Sequence, residues 1–281
     1  MTNRTIKSLT GAKPQPGSGI LHPFPTKELP AIDPFVFLDT GTPRNLGSQE
    51  IYVGPHPHRG VQAVSLLFSG LIMHRDSLGN DRTVISGGMQ WLVSGSGALH
   101  EEVLKGDNQG VFHMAQLWIN MPAKFKMNPP EHHAVTADTI PELSSLGQGS
   151  LVRLYAGDLE SQSGPAPMPT QVLVAHVTIA AGGRVSIPVP VAWNAAFTVV
   201  AGTVTNNGHT LEGGDTPVFH HDGKTISVTS ETGGELLLMC GEPIGEQVAM
   251  HDGFVMNTAE EITTAFDDYK SGRMGYLIAS R

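Results

Sequence analysis

Gly54-Pro55-His56-Pro57-His58-Arg59-Gly60 decides how this chain is read. Its two imidazoles stand two residues apart, so on extended backbone they point to the same side. Further along, Gly95-Ser96-Gly97-Ala98-Leu99-His100-Glu101-Glu102 carries a second pair, His100 and Glu102, with the same spacing. Two such segments facing each other across a small barrel would bring three imidazoles and a carboxylate together, a donor set that suits a divalent metal. The spacing of His56 and His58 alone is met equally well by a Pro-rich turn without a ligand. The second pair favours the metal, and the candidate ligands are His56, His58, His100 and Glu102.

Composition sets the frame around that site. The chain has 281 residues with 17 Lys and Arg against 26 Asp and Glu, a formal charge of −9. That length favours two domains, expected at 1–140, with 1–30 as an extended Pro-rich arm, and at 141–281. The acidic balance and the lack of a Lys/Arg run argue against direct nucleic acid binding. No apolar stretch approaches the ~20 residues of a membrane span, and Met1 to Lys13 lacks a signal core, so a soluble, cytoplasmic protein is expected. The single cysteine, Cys240, fits a reducing compartment. Charged residues are 15% while Gly numbers 33 and Pro 20, a mix suited to many short strands joined by tight turns.

Along the chain, Pro34 to Asp39, Val61 to Phe68, Leu71 to His74, Met89 to Val93 and Ala115 to Asn120 read as strands. Pro122 to Pro141 reads as a linker. Strands resume at Leu151 to Tyr155, Val172 to Val177, Ala196 to Val200, Ile226 to Val228 and Glu235 to Met239. Thr258 to Tyr269 reads as a helix, with Thr258 as cap and Glu260 and Glu261 in its first turn. The halves look like repeats. Placing Gly70 on Gly202 sets His56 and His58 on Pro188 and Pro190; placing Gly88 on Gly214 sets His100 and Glu102 on Ile226 and Val228. The second half thus keeps the scaffold and loses the ligands.

A His-x-His on one strand with a His and a carboxylate on neighbours resembles the cupin pattern, and more closely the pirin family of bicupins. The resemblance rests on Pro55 to Gly60, His74-Arg75-Asp76-Ser77-Leu78-Gly79-Asn80, Gln90-Trp91, Gly95 to Glu102 and Gln116-Leu117-Trp118-Ile119-Asn120. Gly241-Glu242-Pro243-Ile244-Gly245-Glu246 and Gly253 to Thr258 extend it. It implies an all-β chain of two cupin (double-stranded β-helix, or jelly-roll) barrels packed face to face, with a short C-terminal helix. It further implies one divalent metal, Fe(II) first among Ni, Cu, Mn and Zn, held by His56, His58, His100 and Glu102 in the N-terminal barrel alone.

The implied activity is that of a quercetin 2,3-dioxygenase acting with O2 on a flavonol or another small aromatic enol. Glu102 is the candidate catalytic base, since a weakly held carboxylate ligand can also take a proton. The alternative is a redox-sensing regulator that binds a protein partner such as a transcription factor or metabolic enzyme. One departure is visible: relatives commonly carry Glu where this chain has Val61-Gln62, so an acid function there is absent.

Other polar residues are read more plainly. His113 is expected as an ordinary strand histidine ahead of a supporting role. The pairs His132-His133 and His220-His221 are expected at surface or turns, because adjacent side chains diverge on extended backbone. His74-Arg75-Asp76 has no serine elbow to complete a hydrolase triad. Trp91 and Trp118, with Phe68 and Met73, are expected in the barrel interior or pocket wall, and Cys240 in the core.

Overall fold

Short apolar and alternating runs become strands because β-branched and aromatic side chains fit a pleated, half-buried surface, and Gly-rich pairs turn the chain between them. The computed structural model describes all residues except Met1, Gly17 and Met168. Met1 and Gly17, within the expected arm, lie outside the described residues. The chain is all-β, with one α-helix, Ala259–Lys270, among the described residues. It separates into two compact units, residues 43–137 with 244–281 and residues 1–42 with 138–243.

The unit that carries His56 to Glu102 holds a four-stranded sheet in the order Glu50–His58, Ala98–Lys105, Leu71–Asp76, Asp81–Ile85. A second sheet runs Glu131–Val135, Met89–Val93, Val61–Ser69, Val111–Asn120. Leu67 and Phe112 from one sheet meet Ile72, Val84 and Leu104 from the other in a closed apolar cluster. Each such side chain contributes ~1.5–3 kcal/mol by burial. Further along the same strands the interior is polar, so the apolar end offsets the desolvation of the histidines and carboxylates at the other.

The C-terminal segment is part of this unit. Thr258 Oγ1 accepts the Glu261 N–H at 3.2 Å while the Glu261 carboxylate accepts the Thr258 N–H at 3.1 Å, a reciprocal cap that starts the helix where the sequence placed it. Ile262 and Ala265 of the helix pack with Phe254, Met256 and Met274 against Leu99, on the strand that carries His100. Arg59 donates from Nε to Ser96 O at 2.7 Å and pairs with Asp268 at 2.7 Å. That guanidinium holds the Asp268 carboxyl below the usual carboxylate range, against the effect of burial. Gly253 is required by close approach: a Cβ there would lie 1.9 Å from Pro57 O and 3.1 Å from His58 Nδ1.

The other unit packs Leu154, Val177, Phe197, Val199, Leu238 and Cys240 into one apolar core. Its sheet includes Val172–Pro188, Asn194–Asn206, Thr225–Ser230 and Gly234–Gly241. Ile6–Gly11 adds a strand against Asp215–Phe219. Arg4, fully buried, satisfies its guanidinium on the backbone carbonyls of Pro190, Val191, Trp193 and Gly223.

Each unit includes a chain terminus: Ile6–Gly11 pairs with Asp215–Phe219 in one, and the C-terminal helix packs against Leu99 in the other. Residues 1–30 are not a plain arm, since Ile6–Gly11 and Ile20–Phe24 are strands whose backbone pairing leaves little periodic trace among prolines. Glu131–Val135, inside the expected linker, likewise pairs with Met89–Val93.

Candidate metal centre

Strand register assembles the site. His100 lies opposite His56 on one side and Asp76 on the other; Glu102 lies opposite Val53 and His74. Between those rows the ladder slips: two steps along the His100 strand match three along the His56 strand. The extra residue falls at Gly54-Pro55, where proline has no N–H to lose from the ladder and the bulge sharpens the local twist. Alternation then turns Glu101 to the opposite face, where it accepts from Tyr52 Oη and Arg75, each at 2.7 Å.

His56, His58 and His100 converge. Their ring centroids are 4.3 Å apart for His56 and His100, 5.0 Å for His58 and His100, and 5.1 Å for His56 and His58. One donor atom from each lies within 4.8 Å of the others. His56 Nδ1 is 2.8 Å from Gly54 O and His58 Nδ1 is 3.2 Å from Gly253 O. A carbonyl only accepts, so both Nδ1 atoms carry the proton and both Nε2 lone pairs are left for a ligand role. His100 Nε2 is buried without a hydrogen-bond partner among the described residues. Such an orphaned atom costs about 1–3 kcal/mol unless something is bound there.

Burial, reinforced by His56, lowers His58 to about 3. Burial and the neighbouring imidazoles push His100 well below the ordinary histidine value. These two rings are neutral at physiological pH, the form that binds metal. Glu102 moves the other way: burial raises its carboxyl, while His74, His56 and Gln90 oppose the shift.

The four expected residues form two overlapping groups, not one. Glu102 shares its group with His100 and His74, and its Oε1 is 3.6 Å from His100 Nδ1. Gln90 donates to Glu102 Oε1 and, at 3.1 Å, to Ser65 Oγ, which anchors the carboxylate inside the barrel. Sequence reasoning missed Gln90 and His74. The signal for His74 was present: His74-x-Asp76 repeats the alternation of His100-x-Glu102, and strands with matching alternation share an interior face.

Two corrections concern side chains near the site. His132 is not a surface residue; it is half-buried and stacks on His74 with centroids 3.9 Å apart and planes within 6°. Pairing of its strand with Met89–Val93 turns it toward His74, while the His133 side chain is 39% exposed. Met73 is 39% exposed, since its neighbours Ile72 and His74 take the interior positions. Trp91 is fully buried and donates to Gln62 Oε1 at 3.0 Å, so the Val61-Gln62 departure places an amide where an acid is absent. Trp118 sets its edge against His58 with centroids 5.1 Å apart. His113 is buried beside Phe68. Cys240 is in the core, its thiol pushed up to about 12 by burial.

The second barrel shows the same strand pairing without ligands. There Pro188 faces Thr225 and Ile187 faces Ile226, in unbroken register to Gly183 and Ser230. The repeat alignment holds at Glu102, whose partner Val53 maps to Val185 as Val228 requires. It slips by one at His100, because the Gly54-Pro55 bulge belongs to the first barrel alone.

Comparison with known proteins agrees with this architecture. Residues 17–119 match the family model described as Pirin, and residues 174–275 that described as the Pirin C-terminal cupin domain. A pirin-like protein of Caulobacter vibrioides is 33% identical over 275 residues, covering 95% of this chain and 98% of its own. A protein of Pseudomonas aeruginosa named as a quercetin 2,3-dioxygenase by inference is 30% identical over 247 residues, 86% of each chain. The crystal structure of a quercetin 2,3-dioxygenase from Acinetobacter baumannii superimposes with a TM-score of 0.91 at 28% identity, covering 99% of this chain and 100% of the other.

Proposed function

Because this chain belongs to the pirin family, we propose that it is a metal-dependent dioxygenase of flavonol-like or other small aromatic enols. In this reading His56, His58, His100 and Glu102 hold one divalent metal, Fe(II) first. The observation that carries it is the convergence of three histidines with the partnerless, buried His100 Nε2. The three imidazoles fit, since His58 and His100 are held neutral; Glu102 stands on the Nδ1 side of His100, in the group with His74.

A metal bound there would acidify an enol hydroxyl and make its ring reactive toward O2. The protein's own groups do the rest. Glu102, whose basicity burial raises, takes the hydroxyl proton, and Gln90 holds that carboxylate in place. Trp118, edge-on to His58, offers an aromatic wall beside the site. Both oxygen atoms enter the ring-opened product and one ring carbon leaves as carbon monoxide, so no external reductant is consumed.

The test is aerobic incubation of iron-, nickel- or copper-loaded protein with quercetin, following loss of flavonol absorbance and release of carbon monoxide. Turnover with at least one metal supports the reading. Stoichiometric metal with no turnover for any of the three refutes it. Unchanged turnover in Glu102→Gln would remove the base role while leaving the enzyme.

A further inference from the structure

Asp76 is fully buried on the strand next to His100. Its Oδ1 accepts the N–H of Leu78 at 3.0 Å and of Asn80 at 2.9 Å, and its Oδ2 accepts Asn80 Nδ2 at 2.8 Å. A carboxylate so supplied with donors is an acceptor only. His74 Nε2, 3.1 Å from Oδ2, must therefore donate to it. In the neutral ring this leaves His74 Nδ1 as a lone pair. That atom is 3.4 Å from His100 Nδ1, so the shared proton belongs to His100. Glu102 Oε1, 3.6 Å from the same Nδ1, favours the same assignment. The nitrogen of His100 that remains unprotonated is Nε2, the one that is buried and partnerless.

We infer that Asp76 and His74 are positioning residues for the centre, fixing His100 as its Nδ1–H tautomer and directing its Nε2 lone pair to where His56 and His58 converge. The inference rests on the metal reading above. It completes a pattern, because the Nδ1–H groups of His56 and His58 are fixed by the carbonyls of Gly54 and Gly253. For His100 no carbonyl does this, and a buried carboxylate acting through a second imidazole takes its place. His132, stacked on the face of His74, holds that ring in plane. A donor–acceptor chain of this kind is what orients metal-binding histidines in general.

The experiment has two arms. Nitrogen-15 NMR of the metal-free wild-type protein reads the His100 tautomer directly, without any variant. Zinc affinity, measured by chelator competition, is then compared among wild type, Asp76→Asn, His74→Phe and His74→Gln. In Asp76→Asn the amide oxygen can still accept the backbone N–H groups of Leu78 and Asn80, but the amide nitrogen loses the bond from Asn80 Nδ2 and turns a donor toward His74, inverting both tautomers.

The expected results are an Nδ1–H tautomer for wild-type His100 and an affinity loss of roughly 10–100-fold in Asp76→Asn and His74→Phe. His74→Gln, which keeps an acceptor, recovers most of it. An Nε2–H tautomer in a wild type that binds zinc overturns the dyad's role alone. So does wild-type affinity in a folded His74→Phe. A wild type with the Nδ1–H tautomer that binds no zinc overturns the metal reading, and the proposal with it. Should a variant fail to fold, the wild-type tautomer still decides.

Discussion

Lowering the pH of the metal-free protein from 7 to 4 should remove a large part of its stability. His58 and His132 are each held at about 3 by burial, against 6.5 for the ordinary side chain. Between those values the unfolded chain binds protons that the native state refuses, so stability is intact above pH ~6.5 and falls as pH drops through the window. One such group is worth ~1.4 kcal/mol per pH unit, hence about 3 kcal/mol at pH 4. Two give about 6 kcal/mol, comparable to a whole domain's stability of ~5–15 kcal/mol, and His100 shifts in the same direction. Glu102 acts oppositely, since its folded value is raised and its contribution grows as pH falls. Equilibrium urea unfolding at pH 7, 5.5 and 4 should show the loss. His132→Phe keeps a ring against His74 but cannot titrate, so its stability should fall less steeply by ~1.4 kcal/mol per pH unit below 6. Parallel curves for wild type and variant would refute the reasoning.

Three further outcomes test the structure. His56→Ala and His58→Ala should each abolish stoichiometric metal binding, read by elemental analysis after dialysis, while keeping the strand content seen by circular dichroism. Arg59→Met removes the Arg59 bonds to Asp268 and Ser96 and leaves Asp268 paired with Arg273, so unfolding free energy should drop by about 1–3 kcal/mol, the worth of lost charge-assisted hydrogen bonds. Cys240, buried and raised to about 12, should react with a thiol reagent only after denaturation; fast labelling of the native protein would contradict its place in the core.

The meeting of His56, His58 and His100 was legible because spacing and alternation suffice to predict a shared face: His56 and His58 are two apart and the His100 strand is their neighbour. Glu102, two beyond His100, groups instead with His100 and His74. The helix was legible for a local reason as well, since Thr258 and Glu261 carry their cap within one turn. What the sequence hid depends on register and on distant backbone. The Gly253 carbonyl that fixes His58 comes from 195 residues further along the chain, beyond the reach of any local pattern. Arg4 likewise owes its burial to four backbone carbonyls far along the chain, which no local pattern announces.

The bulge at Gly54-Pro55 shows most directly why glycine-anchored repeats mislead at a site. A scaffold can be copied between barrels strand for strand, yet one inserted residue in the ligand strand resets which positions face each other across the ladder. His100 faces His56 only with that insertion. In the second barrel, which runs in unbroken register from Gly183 to Pro188, restoring histidines at Pro188, Pro190 and Ile226 would therefore not restore the convergence. A residue would have to be inserted as well, and a second barrel so altered that bound zinc without the insertion would show that ligand identity alone makes the site.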